Sequence, residues 1–247
     1  MGIDIVGYHA VLEGFFKTKN NNRALTLGRQ AIDINYEISN IINSFYNLHI
    51  NNEIYYKNNE DPTKKPFIDD LLINTFNFKM LDTLDNSNYE NASIVHDMNL
   101  PLTSDFKQYD FILDGGTIEH IFNIPQVIEN IINLLDIDGV FVSITCNNNY
   151  SGHGFYQFSP DFFYSTMQPK YGMELLQLKL AKLNTQPNEW IDVSELHKNN
   201  NGRNIYHFDT NMPVYIVCIA KKISNNRESI LLNPPQQYSY ESIQWKQ

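Results

Sequence analysis

Three consecutive β-rich runs in this chain stop at an aspartate, and that repeated stop constrains the fold more than any other feature. Phe76-Asn-Phe-Lys-Met-Leu81 alternates and stops at Asp82, Ala92-Ser-Ile-Val-His96 stops at Asp97, and Tyr109-Asp-Phe-Ile-Leu113 stops at Asp114-Gly115-Gly116. An earlier run, Arg23-Ala-Leu-Thr-Leu27, is closed by Gly28. Around these runs apolar residues recur at helical spacing. Ile34, Ile38, Ile41, Ile42, Phe45 and Leu48 predict a helix within Ala31 to Ile50, and Val127, Ile128, Ile131, Ile132, Leu134 and Leu135 predict another from Ile124 to Leu135. Short strands alternating with helices predict βα units and a mostly parallel sheet. Ligands of such open sheets lie outside the carboxyl ends of the strands. Three successive acids at those ends therefore predict a polar site, where a single one would be read as a turn cap.

Further along, Asp138-Gly139 turns the chain into a fifth strand, Val140 to Thr145. A loop rich in Asn, Gly and aromatics covers Asn147 to Ser159, and Ser159-Pro160-Asp161 starts a helix that ends before Pro169. Glu174 to Leu183 and Val214 to Ala220 read as the sixth and seventh strands. The expected architecture is one α/β domain over residues 1–222, a doubly wound seven-stranded sheet with helices on both faces. Residues 1–22 are expected to form an N-terminal helical cover from Gly7 to Phe16. Residues 51–70 and 182–212 are expected insertions or loops, and 223–247 a C-terminal tail.

Composition narrows the function. Lys and Arg number 18 against 28 Asp and Glu, giving a net charge of −10, and no basic run exceeds two residues. A phosphate-tracking surface needs a basic stripe, so duplex nucleic acid is not an expected partner. Cys146 and Cys218 stand alone in apolar runs and read as small core residues. With no His-x3-His or paired-Cys spacing, no metal is expected. There is no apolar run of the ~18 residues a membrane span needs and no basic-then-apolar start, so a cytoplasmic, soluble chain is expected. Gly-x-Gly-x-x-Gly, Gly-x-x-x-x-Gly-Lys-Ser/Thr and Gly-x-Ser-x-Gly are all absent. Dinucleotide-dependent hydride transfer, P-loop phosphoryl transfer and α/β-hydrolase chemistry lose their signals with them.

The order of these elements and residues resembles the class I S-adenosylmethionine-dependent methyltransferases, with their Rossmann-like fold, over residues 23–181 and 213–222. The most specific match is Tyr109-Asp-Phe-Ile-Leu-Asp-Gly-Gly-Thr-Ile-Glu-His-Ile-Phe122, followed by Leu134-Leu-Asp-Ile-Asp-Gly-Val-Phe141. The resemblance implies S-adenosyl-L-methionine as cofactor. By position it assigns Leu27, Gly28, Arg29 and Gln30 to the loop beside the methionine part, Asp82 to the ribose, and Asp97 and Met98 to the adenine side. Asp114, Gly115, Gly116 and Glu119 fall on the cofactor side after the fourth strand. The first motif departs from the family pattern: Thr26-Leu-Gly-Arg-Gln30 has one glycine and no acid. Gly28 can still make the tight turn, and the Gln30 amide can replace a backbone contact. An acidic, aromatic-rich chain also suits a sulfonium cation.

Methyl transfer is an in-line displacement in which a base matters only for a weakly acidic acceptor. His120 beside Glu119, and His153 in Ser151-Gly-His-Gly-Phe-Tyr-Gln-Phe-Ser159, are the candidate bases, and Tyr156 a candidate acceptor contact. The expected activity is O-methylation of a sugar or glycan precursor or another polar small molecule, the glycan association resting on a looser similarity of the 151–159 loop. The thin glycine motif keeps a catalytically inactive binding or scaffold protein as the alternative. RNA or protein methylation is a further one, which the negative charge opposes.

Overall fold

The computed structural model describes residues 2–48, 66–194 and 211–236. The sequence expectations that touch 49–65, 195–210 and 237–247, including most of both expected insertions, the end of the tail, His49, His197 and His207, lie outside the described residues.

The described strands form one mixed sheet of eight: β1 (Arg23–Leu27), β2 (Met80–Asp85), β3 (Ile94–Val95), β4 (Tyr109–Asp114), β5 (Leu135–Asn148), β6 (Met173–Lys182), β7 (Ile191–Asp192) and β8 (Val214–Lys222). Their order is β3-β2-β1-β4-β5-β8-β6-β7. β1, β2, β3, β4 and β5 pair in parallel, whereas β8 runs antiparallel between β5 and β6. The expected seventh strand is thus the eighth in chain order. β7 was not foreseen because two exposed residues paired to Lys179 and Leu180 leave no periodic signature.

Alternating side chains of each strand feed two apolar layers. Leu25 and Ile112 point to the layer completed by α3 (Ile124–Leu134) and α4 (Pro160–Thr166). Ala24, Phe111 and Leu113 point to the layer completed by α1 (Ile5–Phe15) and α2 (Tyr36–Phe45). Each fully buried Val, Leu or Ile in these layers contributes roughly 1.5–3 kcal/mol. The two-faced arrangement is the expected one.

The third strand is shorter than expected, Ile94–Val95 in place of Ala92–His96, and three larger differences arise where tertiary packing overrides local pattern. Phe76 and Phe78, read as strand residues, are buried before β2 begins. Phe76 stacks on Phe15 at 3.8 Å between centroids, and Asn77 between them takes a left-handed φ of 56° that no strand accommodates. β2 therefore starts at Met80 and ends at Asp85, which puts Asp82 in mid-strand. The helix expected from Ala31 begins instead at Tyr36, where Asn35 accepts the Ile38 N–H at 2.8 Å. Ala31 and Ile32 are drawn into bridges with Phe67 and Ile3. β5 follows α3 directly at Leu135, and residues 136–139 bulge out of register with β4. Gly139 is required there, since a Cβ would lie 2.7 Å from the Tyr109 carbonyl.

The N-terminal helix α1 packs on β5 and β8 and is part of the core. Residues at and just ahead of its start, Gly2, Ile3, Asp4 and Gly7, come together with Gly115 after β4.

Candidate functional site

Strand order reverses at β1, with β2 and β3 on one side and β4 and β5 on the other, so the crevice outside the ends of β1 and β4 is where this topology holds ligands. A cavity of about 240 Å³ opens there, lined by residues that include Leu27, Asp85, Asp97, Met98, Thr117 and His120. The loop after β1 makes its turn at Gly28, whose φ is 67° and whose N–H donates to the Leu84 carbonyl at 2.8 Å. A side chain at that φ would be strained, and its Cβ would sit 3.3 Å from Thr117 Oγ1.

Next to this turn lies a buried polar cradle. The Leu27 carbonyl accepts from Thr117 Oγ1 at 2.6 Å and from Gln30 Nε2 at 2.7 Å. Gln30 is only 3% exposed, yet its Oε1 is buried with no hydrogen-bond partner. A Cβ on Gly115 would come within 2.5 Å of that oxygen. An unsatisfied buried carbonyl costs about 1–3 kcal/mol, and a ligand bearing N–H groups would satisfy it.

The acids fall into two sets. Asp85, at the carboxyl end of β2, accepts the Ser87 N–H at 3.0 Å and sends Oδ2 toward Gly28. Asp97 accepts from the Asn99 backbone and side-chain nitrogens at 2.9 and 2.8 Å. Those bonds hold its carboxyl below the usual range. Asn99 in turn carries the Asn123 N–H at 2.9 Å, which fixes the start of α3 against the cleft. Met98 is buried beneath, its backbone carbonyl accepting from Asn130.

The second set is internal. Asp114 is fully buried. One oxygen accepts the Thr117 and Ile118 N–H groups at 2.8 and 3.3 Å and the other the Ser143 hydroxyl at 2.6 Å. Burial first, and Glu119 second, push its pKa up. Glu119 is equally buried, its Oε2 accepting from Thr145 Oγ1 at 2.8 Å. Its Oε1 faces Cys146 Sγ at 3.5 Å and His153 Nε2 at 3.8 Å.

These positions revise several sequence assignments. Asp82 does not face the cleft: mid-strand, it accepts from Tyr109 OH at 3.0 Å and from Ser93 Oγ at 3.0 Å. Asp85 occupies the strand end instead, a position legible in the continuing Met80-Leu-Asp-Thr-Leu-Asp85 pattern before Asn86-Ser-Asn. Asp114 and Glu119 sit behind the cavity wall, their oxygens taken up internally. Arg29 turns away, its Nε donating to Asp69 at 2.9 Å and its guanidinium lying over Phe67 at 4.2 Å. Tyr156 spends its hydroxyl on the Phe122 carbonyl at 2.6 Å. Gly28 and Gln30 both stand against Thr117, and Gly115 packs on Gln30 and Ile3. Gly116 turns the chain at a φ of 88°, and none of these four is among the residues lining the cavity. His120 lines the cavity, and burial lowers its pKa. His153 stands behind His120, their ring centroids 4.9 Å apart. Asn86, His96, Asn99, Thr117 and Ile121 also line the cavity and carried no sequence signal of their own.

A second cavity of about 330 Å³, between α3, α4 and residues 230–236, is walled mainly by apolar residues such as Ile128, Phe162 and Pro235. It offers no comparable chemistry. Among the described residues, no helix is long and apolar enough to cross a membrane.

No protein-family model matches this sequence, and comparison with curated proteins finds no relative. Among solved structures, similarity is found to a chain of the complex between the Haloferax volcanii Trm112 methyltransferase activator and a methyltransferase, at 11% identity, covering 88% of this chain and 90% of that one with a TM-score of 0.48. The N-methyltransferase NodS from Bradyrhizobium japonicum is similar at 8% identity, covering 87% and 94%, with a TM-score of 0.45. An O-methyltransferase of a Brevibacillus brevis polyketide multienzyme, solved with S-adenosyl-L-homocysteine, is similar at 10% identity, covering 87% and 72%, with a TM-score of 0.45. Scores below 0.5 at such identities are too low to support a functional reading.

Proposed function

We propose that the crevice beyond β1, β2 and β4 binds S-adenosyl-L-methionine and that the chain is a methyltransferase acting on a hydroxyl of a polar small molecule such as a sugar precursor. The observation that carries this reading is the carboxylate-lined cavity at the strand ends, with Asp85 and Asp97 in its wall and the orphaned Gln30 Oε1 buried behind it against Gly115. A cationic ligand with an ammonium group meets each of those features: the amide oxygen takes an N–H, and the carboxylates favour positive charge. A pyrophosphate would find acids where it needs donors.

Gln30 and the glycine turn at Gly28 would hold the methionine portion, Asp85 the ribose hydroxyls, and Met98 with Asp97 the adenine side. The cofactor would supply an electrophilic methyl group. The protein's own part is positioning and exclusion of water, together with a base for the acceptor proton. His120, in the cavity lining, serves as that base. Phe122 and Phe155, both exposed, meet edge to face at 5.6 Å and offer a flat apolar surface to the acceptor.

Calorimetric titration of the chain with S-adenosyl-L-methionine and S-adenosyl-L-homocysteine tests the reading. Saturable binding that weakens in Asp85→Ala is expected. No binding at millimolar cofactor would overturn it and favour a scaffold protein, a second reading supported by the way the Gln30 side chain fills the space beside the single loop glycine. Where binding is found, a labelled-methyl screen over nucleotide sugars and phenols should give a product whose formation is lost in His120→Ala while cofactor binding persists.

A further inference from the structure

We infer that Glu119, Cys146 and His153 form a three-ligand site for a zinc-type divalent transition metal. Glu119 Oε1, Cys146 Sγ and His153 Nε2 all lie within 4.8 Å of one another. The separations from Glu119 Oε1 are 3.5 Å to the sulfur and 3.8 Å to the nitrogen. Zinc bonds of roughly 2.3 Å to sulfur and 2.0–2.1 Å to nitrogen or oxygen place tetrahedral ligands about 3.3–3.6 Å apart, so small side-chain movements close the shell.

The surroundings orient the ligands as a metal site requires. Thr145 Oγ1 donates to Glu119 Oε2 at 2.8 Å, which turns Oε1 toward Cys146 and His153. The Glu119 carbonyl accepts the Phe155 and Tyr156 N–H groups at 2.8 and 3.2 Å, and so ties the loop bearing His153 to the glutamate. Gly154 permits that approach, because a Cβ there would lie 2.8 Å from the same carbonyl. Charge argues the same way. Glu119 has no exposed surface, and among the described residues its one ion-pair neighbour is His153, at 3.8 Å. A divalent ion held between Glu119, Cys146 and His153 would balance the charge of that buried carboxylate.

The donor set selects the metal. A thiolate and an imidazole suit zinc or its neighbours in the transition series, whereas magnesium and calcium prefer oxygen throughout. Binding displaces the Cys146 proton to solvent, since a coordinating thiol is deprotonated. Three protein ligands leave the fourth corner of a tetrahedron for water or a substrate heteroatom, the arrangement of catalytic zinc sites. His153 is then a ligand, which leaves His120 as the histidine free to accept a proton. The site stands on its own geometry and does not depend on the methyl-transfer reading.

Cobalt(II) titration of the metal-stripped 247-residue chain tests it, because a Cys–Co bond gives a thiolate-to-metal charge-transfer absorption. One Co²⁺ per chain is expected, with that absorption abolished by Zn²⁺ competition, lost in Cys146→Ser and retained in Cys218→Ser. His153→Ala, a change at a partly exposed loop residue, should weaken Co²⁺ binding at least about tenfold. A wild-type chain without the absorption, or one whose absorption survives Cys146→Ser, would overturn the site. Should Cys146→Ser fail to fold, the His153→Ala chain decides: unchanged affinity sinks the proposal and a tenfold loss sustains it. Cofactor titration of the same proteins reports separately on the methyltransferase reading.

Discussion

The two sides of the carboxyl edge use the same residue types for opposite purposes. Past β4 and β5, Asp114 and Glu119 are fully buried and take hydrogen bonds from Thr117, Ile118, Ser143 and Thr145. Past β2 and β3, Asp85 and Asp97 line an open cavity, and their carboxylates accept from Ser87 and Asn99 in their own turns. Asp114 is framework, whereas the Asp85 and Asp97 side is receptive surface. An aspartate at a strand end therefore says that a polar position exists there, while its burial decides whether the carboxylate holds the protein together or meets a ligand.

Substitutions sharpen that contrast, beginning with the largest expected effect. Asp114→Ala leaves the Thr117 and Ile118 N–H groups and the Ser143 hydroxyl unpaired in the interior, for a loss of roughly 3 kcal/mol or more in urea unfolding. A loss below about 1 kcal/mol would show that water reaches Asp114 and erase the distinction between the two sides. Asp85→Ala should do the reverse, leaving stability within about 0.5 kcal/mol while weakening cofactor binding roughly 10- to 100-fold. An equal effect on both quantities would make Asp85 a framework residue too.

Gly115→Ala probes the seam between the sides. Its Cβ would come within 2.5 Å of Gln30 Oε1 and 2.8 Å of Ile3 Cδ1, so a cost of about 1–3 kcal/mol is expected. Adding Gln30→Ala should recover part of it, and a strictly additive double mutant would break the proposed packing of the amide. Smallest is Asp82→Ala, which removes acceptors from Tyr109 OH and Ser93 Oγ. About 1 kcal/mol of stability should go, with cofactor affinity held within about twofold. A large drop in affinity would restore Asp82 to the site.

Much of this molecule was legible in the chain, unevenly so. Arg23–Leu27 was bounded correctly because its apolar run is closed by a glycine that must turn. Tyr109–Asp114 is equally plain because its Phe111-Ile-Leu113 segment, buried in a central strand, is an unbroken apolar run closed by Asp114-Gly-Gly. α3 announced itself by its broad apolar face. The second strand was misplaced by four residues because Phe76 and Phe78 alternate like strand residues, although they are buried through stacking on Phe15 and packing near Phe111. That shift moved the strand-end acid from Asp82 to Asp85. Glu119, Cys146 and His153 have no ligand spacing in the chain because their ligand atoms come from a turn, a strand and a loop.

The sequence by itself determined the alternation of strands and helices, the glycine turn after the first strand and the concentration of acids at one edge. These are local matters, written in periodicity and in the few residues that tolerate a tight turn. Only the tertiary structure decided which acids face the cavity, that the Gln30 oxygen is left without a partner, and that a glutamate, a cysteine and a histidine converge. Burial and pairing depend on neighbours distant in sequence, and no local pattern encodes them.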